Sequence, residues 1–304
     1  MYKGITALVA LLASGCSPYL YTSEIDAFAT ATGNLSTGLT QAQQAIRTNP
    51  DTHAFWASYA DTDKPVRFSE AGCDTASKTT CYVFVGSTAY NAPAEDAQLV
   101  AEIQKLKSLN GYAAGLQAIS NAEDREAFDA ARATLATNAS TLAGAASGNP
   151  AVTPVAEVAV RAGTTILGYF LDQARFDQLR ASVLATDKYI AAMGPDLAKA
   201  LGEIRKHQLL AVKTRMRTVQ GALGSGKLRV TEHERLLTQL QSDVRAVAAL
   251  QRTRSDKLAT ELVEAHSALA EALRQRRIDP VAVITAINEF ATTASDFKTA
   301  FSKI

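Results

Sequence analysis

Apolar or small side chains recur at alternating steps of three and four residues through most of this chain. That spacing admits little except long amphipathic helices that bury a narrow seam. It is visible at Ile25, Phe28, Thr32, Leu35, Leu39, Ala42 and Ile46, at Leu99, Ile103 and Leu106, and at Phe128, Leu135 and Leu142. It continues through Val155, Val158, Ala162, Ile166, Tyr169, Phe176, Leu179 and Val183, then Leu197, Leu201, Ile204, Val212, Met216 and Val219. The longest run is Leu236, Leu240, Val244, Val247, Leu250, Leu258, Leu262, Ala265, Leu269 and Leu273. Only 17 Gly and 8 Pro punctuate 304 residues, too few turn formers for a sandwich, barrel or propeller. The expected fold is all-α: an elongated antiparallel helical bundle in which alanine at contact positions lets the axes approach closely.

Local signals set the expected helix ends. Ser23 caps a first helix that Asn49-Pro50 closes. Pro93 opens the next, Asn110-Gly111 stops it, and Asn121 caps its successor. The small-residue run from Gly144 to Pro150 marks a subdomain boundary, and Gly194-Pro195 predicts a chain break. Thr231-Glu232-His233-Glu234 reads as a capping box. The helix it opens ends near Arg277, a rod of roughly 70 Å at 1.5 Å per residue. Asp279-Pro280 starts a last helix carrying Ile284, Ile287, Ala294, Phe297 and Phe301.

Residues 51–92 differ. They hold Trp56, Phe55, Tyr59, Phe68, Tyr82 and Phe84 together with Cys73 and Cys81. Tyr82-Val83-Phe84-Val85 is the strongest strand signal in the chain, and Val66-Arg67-Phe68 is placed to pair with it. The expectation is a small disulfide-closed β-hairpin inserted between helices. Its aromatics, Trp56, Tyr59 and Phe68 among them, either pack the insert onto the bundle or recognise a partner.

The N-terminus carries an address. Lys3 precedes the apolar run Ile5–Ala13, which is too short to span a bilayer and has the layout of a secretory signal. The run ends in Ala13-Ser14-Gly15-Cys16, which resembles the lipobox of bacterial lipoproteins. The resemblance implies cleavage before Cys16, acylation of Cys16 and attachment to the membrane through those acyl chains. It covers about 20 residues, with Ala13 where that family usually has Leu. Ser17, a residue other than Asp, implies the outer membrane rather than the inner, on its periplasmic side or at the cell surface. Several acyl chains hold far more firmly than one, because each buried methylene contributes about 0.8 kcal/mol. In that exported setting Cys73 and Cys81 read as one local disulfide, while zinc would need two further ligands. The chain then divides into a signal peptide (1–15), a lipidated tether (16–22), N-terminal helices with the insert (23–148) and a C-terminal long-helix bundle (149–304). The last two are expected to pack as one unit.

Patterns that suggest catalysis lack their chemical context. The segment Gly221–Lys227 spells G-x4-G-K, but a helical pattern precedes it and Leu228 stands where a magnesium-binding hydroxyl belongs. Ser295-Asp296-Phe297-Lys298 matches S-x-x-K without the companion motifs of penicillin-recognising enzymes. His53, His207, His233 and His266 are scattered, so no metal site is expected. The pairs Glu95-Asp96 and Glu123-Asp124 fall in first helical turns, where the helix dipole accounts for them. No cofactor and no catalytic residue are expected. Near-neutral charge, +1 overall, speaks against nucleic-acid binding, and no nucleotide partner is expected either.

Charge is uneven along the chain. Residues 1–194 hold 13 basic and 18 acidic side chains, and residues 195–304 hold 18 and 12. Arg205, Lys206, Lys213, Arg215 and Arg217 concentrate the excess. They read either as a solvated face or as a surface for an anionic partner. The apolar stretch Val152–Phe170 carries Glu157 and Arg161, so burial in the bundle is expected rather than a membrane span. Together these features suggest a lipid-anchored envelope protein acting as a non-enzymatic scaffold, adaptor or binding module for another envelope protein. The alternatives are a membrane-active helical protein with the layout of a pore former, and an envelope hydrolase with an unrecognised site.

Overall fold

The structure is a computed structural model that describes residues 21–60, 65–69, 82–90, 97–148, 171–224, 228–275 and 280–302. It is an all-α helical bundle with one small sheet. The helices are α1 (Thr22–Ala60), α2 (Ala97–Ser120), α3 (Arg125–Ser147), α4 (Leu171–Gly224), α5 (Val230–Arg252), α6 (Ser255–Gln275) and α7 (Pro280–Phe301). Strands β1 (Val66–Ser69), β2 (Tyr82–Val85) and β3 (Thr88–Tyr90) fall between α1 and α2.

The sheet extends the expected hairpin by a strand. β1 pairs antiparallel with β2, Val66 opposite Val85 and Ser69 opposite Tyr82. β2 turns into β3 through Gly86-Ser87, with Gly86 at φ 64°. A glycine with positive φ at the first turn position suits the twist of a two-residue hairpin. Cys73 and Cys81 lie outside the described residues, as do Cys16 and the stretch Val152–Phe170.

The chain divides into two compact units. The first comprises Met1–Thr30, Ser108–Ala192 and Val263–Asn288, and the second Ala31–Lys107, Met193–Leu262 and Glu289–Ile304. In the first, Ile25, Phe28, Leu109, Leu116, Phe128, Leu135, Leu179, Val183 and Leu269 are fully buried. In the second the core includes Leu35, Leu39, Leu106, Leu201, Val212, Leu250, Leu258 and Phe297. Contacts run antiparallel. Within the first unit, Gly111 of α2 meets Asn138 of α3 while Gly115 meets Leu135. Within the second, Arg215 of α4 bonds Asp243 of α5, and further along α4 Val219 and Ala222 pack with Leu236.

Ser23, expected as a cap, is the second residue of α1 and donates to Glu24, and four further expected helix ends are overridden. α1 runs through Asn49-Pro50, α2 through Asn110-Gly111 and α4 through Gly194-Pro195. Proline in a helix interior removes one backbone donor, a cost of about 3 kcal/mol. At Pro195 that cost is offset by burial on both sides, where Ile190, Met193 and Leu197 are at most 1% exposed. Gly111 likewise sits between buried Leu109 and Tyr112, and its carbonyl accepts from Asn138 Nδ2 at 2.7 Å. The fourth end is the cap of α3, which is Asp124 rather than Asn121. Asp124 Oδ1 accepts from the Ala127 N–H at 2.8 Å, while Asn121 donates to Asp26.

The expected rod from residue 231 to 277 is two helices, α5 and α6, separated at Thr253 (φ −68°, ψ 121°). Its capping box is displaced by two residues, with Glu232 accepting from the Arg229 N–H at 2.9 Å. Two apolar assignments also shift by one position. Val244 is 50% exposed and Asp243 takes the buried place, while Ile284 is 38% exposed and Val283 is buried.

Glycine records how closely the axes approach. A Cβ on Gly38 would lie 2.8 Å from Phe297 Cδ1 and 3.0 Å from Lys298 Cα. One on Gly115 would lie 3.0 Å from Leu135 Cα. A Cβ on Gly202 of α4 would meet nothing within 4 Å. Gly202→Ala is therefore expected to stabilise by up to about 1 kcal/mol through helix propensity alone. Gly115→Ala should instead destabilise by about 1–3 kcal/mol, because overpacking outweighs the same propensity gain. Urea denaturation midpoints of the two variants check the opposite signs.

Candidate functional site

Two clusters of polar side chains are centred on buried groups, one in each unit. In the first unit the centre is His266 of α6, which is fully buried. Its Nδ1 lies 3.1 Å from Asp187 Oδ1 of α4, and Ser267 Oγ donates to the same oxygen at 3.1 Å. Its Nε2 lies 3.1 Å from the Tyr112 hydroxyl of α2 and 3.5 Å from Thr186 Oγ1. Thr186 is 2.8 Å from the Tyr112 hydroxyl. The rings of Phe28 and Tyr112 pack on the imidazole at centroid distances of 6.0 and 5.8 Å. Helices α1, α2, α4 and α6 thus meet at one imidazole.

The electrostatics follow from these partners. The hydrogen bond from His266 holds the Asp187 carboxyl below its ordinary value of 3.8, against the burial that pushes it up; the His266 charge, Ser267 and Arg274 add to the lowering. Burial pushes the Tyr112 phenol well above its ordinary value of 10.0, so it stays protonated and able to donate. Asp187→Asn is expected to cost about 1–3 kcal/mol at neutral pH by weakening two hydrogen bonds to a carboxylate. A carboxylate whose folded value is depressed stabilises above its unfolded value, and loses that contribution as pH falls through the folded one. The gap in stability between wild type and Asp187→Asn should therefore persist down to about pH 4 and close below 3.8. Thermal melts at a series of pH values read it.

In the second unit Arg215 of α4 and Asp243 of α5 form a buried pair, with side-chain exposures of 6% and 1%. Arg215 Nη2 reaches Asp243 Oδ1 at 2.6 Å and its Nε reaches both carboxylate oxygens at 3.1 Å. Gln239 Nε2 adds a bond to Asp243 Oδ1 at 2.9 Å. Also in this unit, the buried Gln208 side chain donates to the Ala42 carbonyl at 2.9 Å. Removing one partner of a buried pair strands the other charge. Arg215→Met alone should cost about 3–5 kcal/mol, and adding Asp243→Leu should restore most of it. Chemical denaturation of the two variants measures the difference.

The basic residues singled out in the sequence do not form one exposed patch. Arg215 is committed to Asp243, and Arg205 donates to the Thr253 carbonyl at 2.6 Å, fastening the α5–α6 break. Lys206 is exposed and pairs with Glu203 at 2.9 Å, and Lys213 and Arg217 are exposed on α4. Trp56 and Tyr59 fall in the last turns of α1, and Phe68 falls in β1. In the segment Gly221–Lys227, residues Gly221–Gly224 complete α4.

The polar cores carried a signal in the sequence. His266 lies four residues after Leu262 and three before Leu269, and Asp243 falls between Leu240 and Val247 at the same spacing. Both stand three or four residues from apolar neighbours of the seam, the spacing of a buried helix face. Among the described residues no group of three or more His, Cys, Asp and Glu could hold a metal ion, and no helix is long and apolar enough to cross a membrane.

A scan against family models finds no match, and searches of curated proteins and of solved structures find none either.

Proposed function

We propose that this chain is a lipid-anchored envelope protein whose helical body serves as a non-enzymatic scaffold or adaptor for another envelope protein. The observation that carries the reading is the sequence Ala13-Ser14-Gly15-Cys16 together with the burial of Tyr21, which is 2% exposed. Only five residue steps separate Cys16 from that packed tyrosine. A trans chain spans at most about 3.3–3.6 Å per residue, so an acylated Cys16 keeps Tyr21 within about 18 Å of the lipid. Such a tether holds the first unit beside its membrane. The reactive side chains support a structural role: His266, Asp187, Arg215 and Asp243 are engaged with one another and with neighbouring helices.

The same reading includes a Cys73–Cys81 disulfide. Both cysteines belong to the connection between β1 and β2, whose ends Ser69 and Tyr82 are paired. A bridge there would add about 2–3 kcal/mol.

Cell fractionation with a clickable palmitate analogue tests the anchor. Wild type should carry label and sediment with membranes, and Cys16→Ser should do neither. Cross-linking in intact cells then tests the adaptor role, with a stoichiometric envelope partner expected for wild type and lost in Cys16→Ser. Unlabelled wild type in the soluble fraction would overturn the anchor, and the same partner yield in both proteins would overturn the dependence of assembly on it.

A further inference from the structure

Of the seven large apolar side chains that stand exposed among the described residues, three fall on α5. They are Val230, Leu237 and Val244, at 79%, 39% and 50% exposure. Each is seven residues from the next, so they form one line along the helix. Half-buried Leu240 and Val247 stand beside that line at three-residue steps, as does exposed His233. α5 thus carries two seams. Leu236, Asp243, Ala246 and Leu250 are buried in the second unit. The other seam is one residue further on, roughly 100° round the helix axis, and is open to solvent. The other flank of the same helix is polar, where Thr231, Arg235, Thr238 and Ser242 line a surface groove.

A seven-residue apolar period suits a helix that lies alongside another in a coiled coil. Valine at the first heptad position, as at Val230 and Val244, with leucine at the fourth, as at Leu240, favours two parallel strands. The flanking charges select the occupant. In a parallel pair, the residue before a first position lies against the residue five places later on the other helix. On α5 that relation joins Arg229 to Glu234, both exposed and of opposite charge. Repeated along the helix, it joins Leu236 to Gln241 and Asp243 to Ala248, so no like charges meet. Asp243 is in any case held by Arg215 of its own chain. The surface is complementary to itself. We propose that this chain forms a homodimer through α5: two copies lie parallel and in register, Val230, Leu237 and Val244 each meet their own counterpart, and Arg229 of each copy pairs with Glu234 of the other. His233 then faces its counterpart between the first two layers, and a polar residue in such a seam fixes register at some cost in stability. Three exposed apolar layers make a small interface, so micromolar dimerisation is expected. The contact lies wholly on the second unit and needs no membrane anchor, so it stands or falls separately from the anchored-adaptor reading.

Sedimentation equilibrium of the full chain carrying Cys16→Ser, over a wide range of protein concentration at about pH 8, tests the dimer; an exposed histidine is neutral there. A monomer–dimer equilibrium is expected. Leu237→Lys puts two charges at the centre of the seam and should abolish the dimer, with helical circular dichroism unchanged because Leu237 is already 39% exposed. Arg229→Glu turns two attractive contacts into repulsive ones and should weaken dimerisation about five-fold. Adding Glu234→Arg should restore it. Cysteine pairs report direction, because they bridge only when their Cα atoms lie within about 7 Å. Under mild oxidation Val230→Cys and Val244→Cys should each link two chains above the level of the parent, and Ser242→Cys on the polar flank should not. In an antiparallel pair centred on Leu237, Val230 would meet Val244 and neither single variant would link. A chain that stays monomeric at every concentration would overturn the proposal, as would association that Leu237→Lys leaves unchanged. A dimer in which neither Val230→Cys nor Val244→Cys links would overturn the parallel register.

Discussion

Burial of the narrow stripe along α4 is the constraint on which both units depend. Within the first unit that stripe meets α2 and α6, and within the second it meets α5. An apolar seam supplies most of the stabilisation, but leucine against alanine is indifferent to a slip of one helical turn. Direction and register need groups that bond at one place only. Arg180 to the Leu273 carbonyl, Arg215 to Asp243 and Arg205 to the Thr253 carbonyl each fix α4 against a neighbour at a single offset.

This division of labour explains why polar residues stand in the core. Gln208, Arg215, Asp243 and His266 all occupy buried positions of otherwise apolar stripes, and each reaches a partner on another helix. A buried pair adds little net stability compared with well-packed apolar residues, but any slipped register leaves its charges unpaired. Specifying one helix pairing among many similar ones is the function that such a cost secures. The same commitment withdraws Arg205 and Arg215 from the basic set near residues 205–217. What remains outside on α4 is Lys206, Lys213 and Arg217, with Leu210 at 63% exposure among them.

The main misreadings share one cause. Asn49-Pro50, Asn110-Gly111 and Gly194-Pro195 are local stop signals, and all three lie inside continuous helices. Local propensities amount to about 1–3 kcal/mol, and at Gly111 and Pro195 burial of two or three large side chains nearby outweighs them. Gly111 reads as a helix stop, yet Gly111 and Gly115 are where α2 packs against Asn138 and Leu135 of α3. The reverse happened at Thr253, where the sequence reads as one helix from Leu236 to Leu273 and the structure has a helix end. Its carbonyl leaves the α-helical ladder and is taken by Arg205, 48 residues earlier in the chain. The third strand was legible as Gly86-Ser87, a two-residue turn between β-formers.

By itself the sequence determined the class of fold, because three-and-four spacing over long runs can bury its apolar residues only as packed helices. It also determined the strand pair at Val66 and Tyr82–Val85, and the final helix opening at Pro280. Only the tertiary structure decided where helices continue or stop and which glycines are contacts. It alone joined His266 to Tyr112 and Asp187, and Arg215 to Asp243. The physical reason is range: periodicity and caps act within a few residues, whereas those pairings join side chains 28 to 154 residues apart. Their energies exist only once the helices that carry them are already side by side.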